Sequence, residues 1–127
     1  PYTIHAGEGL ELASSLEDAI KCSPIRIGHG IASVFDKSLI EEIKEKRIAL
    51  ELCVSSNLKT FNIPFNIYPL AEIFDSGVDI LLGSDNPSFI NSNIENEYDL
   101  VASILGDQVL ERIESTTNKY LRNRNLV

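Results

Sequence analysis

Four short apolar runs recur along the chain, and each ends in a polar or ionisable residue before a helix-like stretch begins. They are Tyr2 to His5, Ile25 to Gly28, Ile48 to Cys53 and Asp79 to Leu82. Strands that alternate with helices predict a parallel sheet with helices packed outside it, because a helical crossover is the usual route back to a parallel neighbour. The expected fold class is therefore α/β, with about four β-α units in one domain. Two architectures fit this order: an open doubly wound sheet and half of a TIM (β/α)8 barrel. No Gly-rich phosphate loop follows the first run, which counts against a dinucleotide-binding sheet.

The helical stretches have clear boundaries. Leu10 to Cys22 places Leu10, Ala13, Leu16, Ala19 and Ile20 on one stripe, and Pro24 ends it. Asp36 is placed to cap a helix through about Arg47, with Leu39, Ile40 and Ile43 inward. Pro69 starts a helix through Ser76 and Gly77 closes it. Pro87 to Asn91 reads as one helical turn, and Glu95 to Leu105 as a helix interrupted at Gly106. Asp107 is placed to cap a last helix through about Leu121, followed by a frayed polar tail, Arg122-Asn123-Arg124-Asn125. Ser55-Ser56-Asn57 has the composition of a loop, and 62–68 reads as irregular.

Charge narrows the partners. The formal net charge of -8 disfavours nucleic acid and anionic membranes, which both need a basic face. It leaves room for a small neutral base or nucleoside in a pocket. No apolar run approaches the ~20 residues of a membrane span, and the opening residues lack a signal-peptide pattern. Cys22 and Cys53 form no C-x-x-C pair and read as reduced thiols of a cytoplasmic protein. The absence of Met and the entry straight into a strand at Pro1 are expected of a piece of a longer polypeptide. Residues 1–127 are accordingly expected to form a single partial domain.

The ends of the apolar runs carry the chemistry. In His5-Ala6-Gly7-Glu8 an imidazole can bind a metal and a carboxylate three residues on can move a proton. The competing reading is a core histidine before a capping turn. Gly28-His29-Gly30 lets backbone and ring approach a ligand closely, or is a tight strand exit whose histidine faces solvent. Glu51 lies within an apolar run and either orients a functional residue or faces an edge. Cys53 reads as core, because nothing basic adjoins it. Asp85 is a candidate metal ligand, and the Asn86 amide could read the edge of a base. Both histidines of the chain fall at carboxyl ends of predicted strands, which a barrel gathers around one pocket.

Four stretches together resemble the adenosine deaminase family of the amidohydrolase superfamily: Thr3-Ile4-His5-Ala6-Gly7-Glu8, Arg26-Ile27-Gly28-His29-Gly30, Glu51-Leu52-Cys53-Val54-Ser55-Ser56-Asn57 and Ser84-Asp85-Asn86-Pro87. The resemblance spans nearly the whole chain and corresponds to the C-terminal half of that family's barrel. It implies zinc held by His5 and Asp85, with Glu8 protonating a purine ring nitrogen and His29 orienting or deprotonating the attacking water. Gly7 and Asn86 would contact the purine. The water would add to the amino-bearing carbon of adenine and ammonia would leave. The family's pair of histidines on an earlier strand is absent here, and Asn86 stands where the family usually carries a second aspartate. Two zinc ligands hold the metal weakly, so this stretch alone is expected to be inactive. Two other functions fit the same features. One is a non-catalytic half-barrel that self-associates through its open sheet edges into a homo-oligomer. The other is a different metal-dependent amidohydrolase.

Overall fold

A computed structural model describes residues 2–122. Its sheet has four strands in the order β1-β2-β3-β4, formed by Thr3–Ala6, Arg26–His29, Ala49–Leu52 and Ile80–Leu82. Every adjacent pair is parallel, with His5 opposite Gly28, Gly28 opposite Glu51 and Leu52 opposite Leu82. Sequential order with parallel pairing requires each connection to cross outside the sheet, as the alternation of runs predicts. The crossovers contain α1 (Ala13–Lys21), α2 (Lys37–Glu45), α3 (Val54–Thr60) and α4 (Leu70–Asp75). After β4 come α5 (Pro87–Ile90), α6 (Ile94–Leu105) and α7 (Leu110–Arg122).

The core lies between the sheet and these helices. It takes Leu16, Ala19 and Ile20 from α1, Leu39 and Ile43 from α2, Ile73 from α4, Val101 from α6 and Ile113 from α7. These meet Ile27, Leu50, Leu52 and Ile80 of the strands. Parallel strands covered by helices are expected to carry such continuous apolar runs.

Several boundaries differ from those expected. Helix α1 starts at Ala13, since Leu12 donates its N–H to the Gly9 carbonyl and closes a turn first. Gly106, with φ +85°, ends α6, and Asp107 opens a short 3₁₀ turn before α7, so it does not cap that helix. The tail residues 123–125 lie outside the described residues.

The largest correction concerns Ser55-Ser56-Asn57, which lies within α3 and not in a loop. Short polar side chains favour loops because they hydrogen-bond to their own backbone. Here they are committed elsewhere: Ser56 to Asp85 and Asn57 to the Glu8 carbonyl. The backbone is then free to coil, and the Glu97 carboxylate accepts the otherwise unpartnered N–H of Ser55.

Candidate active site

Parallel strands place all their carboxyl ends on one side, so the loops after β1, β2 and β4 share a face. His5 is the third residue of β1 and its side chain is exposed. Its ring lies over Gly28 of the neighbouring strand. A Cβ on Gly28 would come 2.5 Å from the His5 ring carbon Cδ2, so only glycine admits the imidazole there. His29 ends β2 and is buried, which rules out the solvent-facing reading. The two rings meet edge to face, with centroids 5.3 Å apart.

Glu8 is half-buried in the loop after β1, with Oε1 3.6 Å from Nε2 of His29. Asp85 follows β4, and its Oδ2 accepts a 2.5 Å hydrogen bond from the Ser56 hydroxyl. Ligand atoms of Glu8, His29 and Asp85 all lie within 4.8 Å of one another. His29 and Asp85 both have positive φ, +69° and +54°. Backbone in the left-handed region is uncommon for residues with a side chain, and such strain gathers at functional sites. Zinc takes imidazole nitrogen and carboxylate oxygen, which His5 and Asp85 offer, but His5 is not among the three converging residues and meets them only through the edge-to-face contact with the His29 ring.

Gly7 and Asn86 serve the architecture in this structure. The Gly7 amide donates to the Ser15 hydroxyl and its carbonyl accepts from Ala32. A Cβ on Gly7, whose φ is +62°, would meet Gly30, Ala32 and Leu16, so its missing side chain serves close packing. The Asn86 side chain caps α5 by accepting from Phe89 N at 3.4 Å, and the residue is exposed beside Asp85. Glu51 pairs with Arg26 at 2.6 Å across β2 and β3, so it has a partner and does not stand alone at an edge.

Cys53 is free and buried at the end of β3. Burial, and then the carboxylates of Asp85, Glu51, Glu97 and Glu8, push its thiol up to about 12. A thiol held that high stays protonated at neutral pH, in line with the core reading.

Nothing in the sequence marks the first turn of α3 as the support of the site. Ser56 and Asn57 are buried, as is Glu97 of α6. Glu97 accepts from Ser55 N at 3.1 Å and from the Ser92 hydroxyl at 2.8 Å. Asn57 Nδ2 donates to the Glu8 carbonyl at 2.9 Å and lies 3.2 Å from Nδ1 of His29. One signal was available for Glu97: it sits four residues before Val101, on the buried stripe of α6, where a carboxylate needs partners.

Comparisons with known proteins give the family and the fold. The adenosine deaminase family model matches residues 1–119. An adenine deaminase of Sinorhizobium medicae is 36% identical over 118 residues, covering 90% of this chain and 36% of its own length. An adenosine deaminase of Aliivibrio fischeri is 31% identical over 105 residues, covering 82% and 32%. The arabidopsis N6-mAMP deaminase MAPDA superposes with a TM-score of 0.69 at 27% identity, over 82% of this chain and 30% of that one. The four β-α units thus have the fold of adenosine-deaminase-type TIM barrels. The chain spans about a third of the length of the curated relatives it matches. With the family model covering almost all of it, the chain belongs to the adenosine deaminase family.

Proposed function

We propose that the protein catalyses the zinc-dependent hydrolytic deamination of an adenine compound to the inosine or hypoxanthine product. The substrate class is adenosine, adenine or an N6-substituted adenine nucleotide. In this reading, residues 1–127 are a single partial domain, the C-terminal half of the barrel, in a cytoplasmic enzyme with neither nucleic acid nor membrane as partner. The observation that carries it is the convergence of Glu8, His29 and Asp85 within 4.8 Å. The names of the relatives support the purine chemistry.

His5 and Asp85 are the residues that would hold zinc. When bound, zinc supplies a Lewis acid able to lower the pKa of water to about 7. Glu8 acts as the general acid: it gives its proton to a ring nitrogen of the purine, which withdraws electrons from the amino-bearing carbon. Water adds at that carbon; one of its protons passes to the amino group, the C–N bond breaks with ammonia leaving, and the other proton restores Glu8. His29 orients the attacking water from the buried side. Gly7 would contact the purine through its backbone, and Asn86 offers a donor and an acceptor to the purine edge.

The test is loss of adenine-compound absorbance with the full-length protein, with its Glu8→Gln variant and with this stretch alone, all with added zinc. Glu8→Gln is expected to keep the metal and lower turnover by roughly 10²–10⁴-fold, the usual range for a general acid. The isolated stretch is expected to turn over negligibly. An unchanged rate in Glu8→Gln removes the proton-donor role, and robust turnover by the stretch alone shows the ligand count to be wrong. Turnover of non-purine amides or esters in place of adenine compounds would assign a different amidohydrolase reaction. The outer edges of β1 and β4 have no strand neighbour among the described residues, which supports self-association of this stretch when isolated. A stable monomer at high concentration in sedimentation would exclude that association.

A further inference from the structure

The Asn57 side chain is fully buried, and its contacts decide where the proton of His29 sits. A backbone carbonyl only accepts, so the atom that faces the Glu8 carbonyl at 2.9 Å must be the amide nitrogen Nδ2. That fixes the amide orientation and turns Oδ1 toward the Tyr68 hydroxyl, 3.2 Å away. Burial raises the Tyr68 phenol above its ordinary value, so it keeps its proton and donates to Oδ1. The second proton of Nδ2 is left for Nδ1 of His29, at 3.2 Å. An amide nitrogen of this kind donates and does not accept. Nδ1 must therefore present a lone pair, and a neutral imidazole then carries its one proton on Nε2. Nε2 is the atom that faces Glu8 Oε1 within the cluster.

We propose that Asn57 is a positioning residue that holds His29 in the Nε2–H tautomer, so that His29 meets the reacting groups as a hydrogen-bond donor, and neither as a base nor as a metal ligand. Both of the excluded roles need a lone pair on Nε2, and the Asn57 amide opposes the tautomer that has one. Of the three converging residues, Asp85 is then left as the ligand, beside His5. The same amide also fixes the backbone of Glu8, so one side chain sets the acid and the donor together. The catalytic consequence rests on the deaminase reading above, while the tautomer does not.

The experiment is long-range ¹H–¹⁵N correlation NMR of the full-length protein labelled with ¹⁵N-histidine, at alkaline pH, with and without zinc. The His29 signals are identified by their loss in His29→Asn. The expected result is a proton on Nε2 in the wild type, and transfer to Nδ1 in the near-isosteric Asn57→Asp, whose carboxylate accepts from Nδ1. Asn57→Asp is further expected to lower kcat by about 10–100-fold, the range for loss of a supporting hydrogen bond to an active-site group, with KM nearly unchanged. A wild-type His29 with its proton on Nδ1 overturns the proposal even if no variant folds. So does an Asn57→Asp protein in which the tautomer stays on Nε2. A proton on Nε2 in a protein that deaminates no adenine compound would support the tautomer and overturn the proposed reaction.

Discussion

Helices α2 and α3 flank the same strand, β3, and are held in opposite ways. Helix α2 buries Leu39, Ile40 and Ile43 and turns its charges outward, where Lys44 pairs with Glu41 and Lys46 with Glu42. Helix α3 buries Ser56 and Asn57 beside Val54, and their hydrogen bonds run to Asp85, Glu8 and His29. Apolar burial is non-directional and grows with the area covered. Hydrogen bonds act over a few tenths of an ångström and within a narrow angle. Helix α2 therefore supplies stability, and α3 supplies geometry. The difference shows that the residues supporting this site are found among buried polar groups, away from the apolar stripes.

The strongest way to break this division is Ile43→Ala. Ile43 is fully buried under α2, so truncation removes apolar contacts and leaves a cavity. The expected cost is about 2–5 kcal/mol of stability, read as a shift of the denaturant midpoint. Turnover per folded molecule should be unchanged, because among the described residues no side-chain hydrogen bond or ion pair runs from α2 to Glu8, His29 or Asp85. A large loss of kcat in a fully folded Ile43→Ala protein would show that α2 also sets the geometry of the site.

The same contrast explains what could be read before any coordinates. The spacing of Leu39, Ile40 and Ile43 repeats with the helical turn, so α2 was legible. The four apolar runs gave the strands to within a residue or so, and their order gave the parallel sheet. His5, Glu8, His29 and Asp85 were legible because ionisable residues at strand ends stand out against apolar neighbours. Helix α3 was not, since Ser55-Ser56-Asn57 has no apolar period and its polarity suggests a loop. What stabilises it there is a set of partners 28 to 49 residues away in the chain. Local sequence carries no trace of contacts that distant. The tautomer of His29 lies further out of reach, because it depends on which atom of Asn57 faces which neighbour.

Glu97→Gln sharpens the comparison at a smaller magnitude. The Glu97 carboxylate accepts from Ser55 N through one oxygen and from the Ser92 hydroxyl through the other. A glutamine side chain can keep an oxygen for Ser55 N and turn its NH₂ to the Ser92 hydroxyl, which can accept, so both contacts survive without the charge. A hydrogen bond to a charged group contributes about 1.5–3 kcal/mol and a neutral one about 1, so the midpoint shift should correspond to about 1–2 kcal/mol. If α3 supplies geometry, kcat should also fall in the folded variant, unlike in Ile43→Ala. Intact turnover in a folded Glu97→Gln protein would show that the first turn of α3 keeps its place without this support.

The smallest expected effect tests whether α2 has any directional hold of its own. Its one side-chain cap is Asp36, whose carboxylate accepts from Ser38 N at 2.8 Å and from the Ser38 hydroxyl at 2.6 Å. The hydroxyl bond, and then the backbone bond, lower the Asp36 pKa below its ordinary value. The unfolded chain therefore binds this proton more readily than the folded one. The contribution is fully present above the unfolded carboxylate value of about 3.9, and is lost as pH falls through the lower folded value. Asn is an equally favoured cap and does not titrate. Thermal melts of the wild type and Asp36→Asn should therefore differ only slightly near neutral pH. The wild type should lose stability relative to the variant as the solution is acidified below the carboxylate range. A difference independent of pH would mean that the charge of Asp36 does not contribute. Helix α2 would then be held by its apolar face alone.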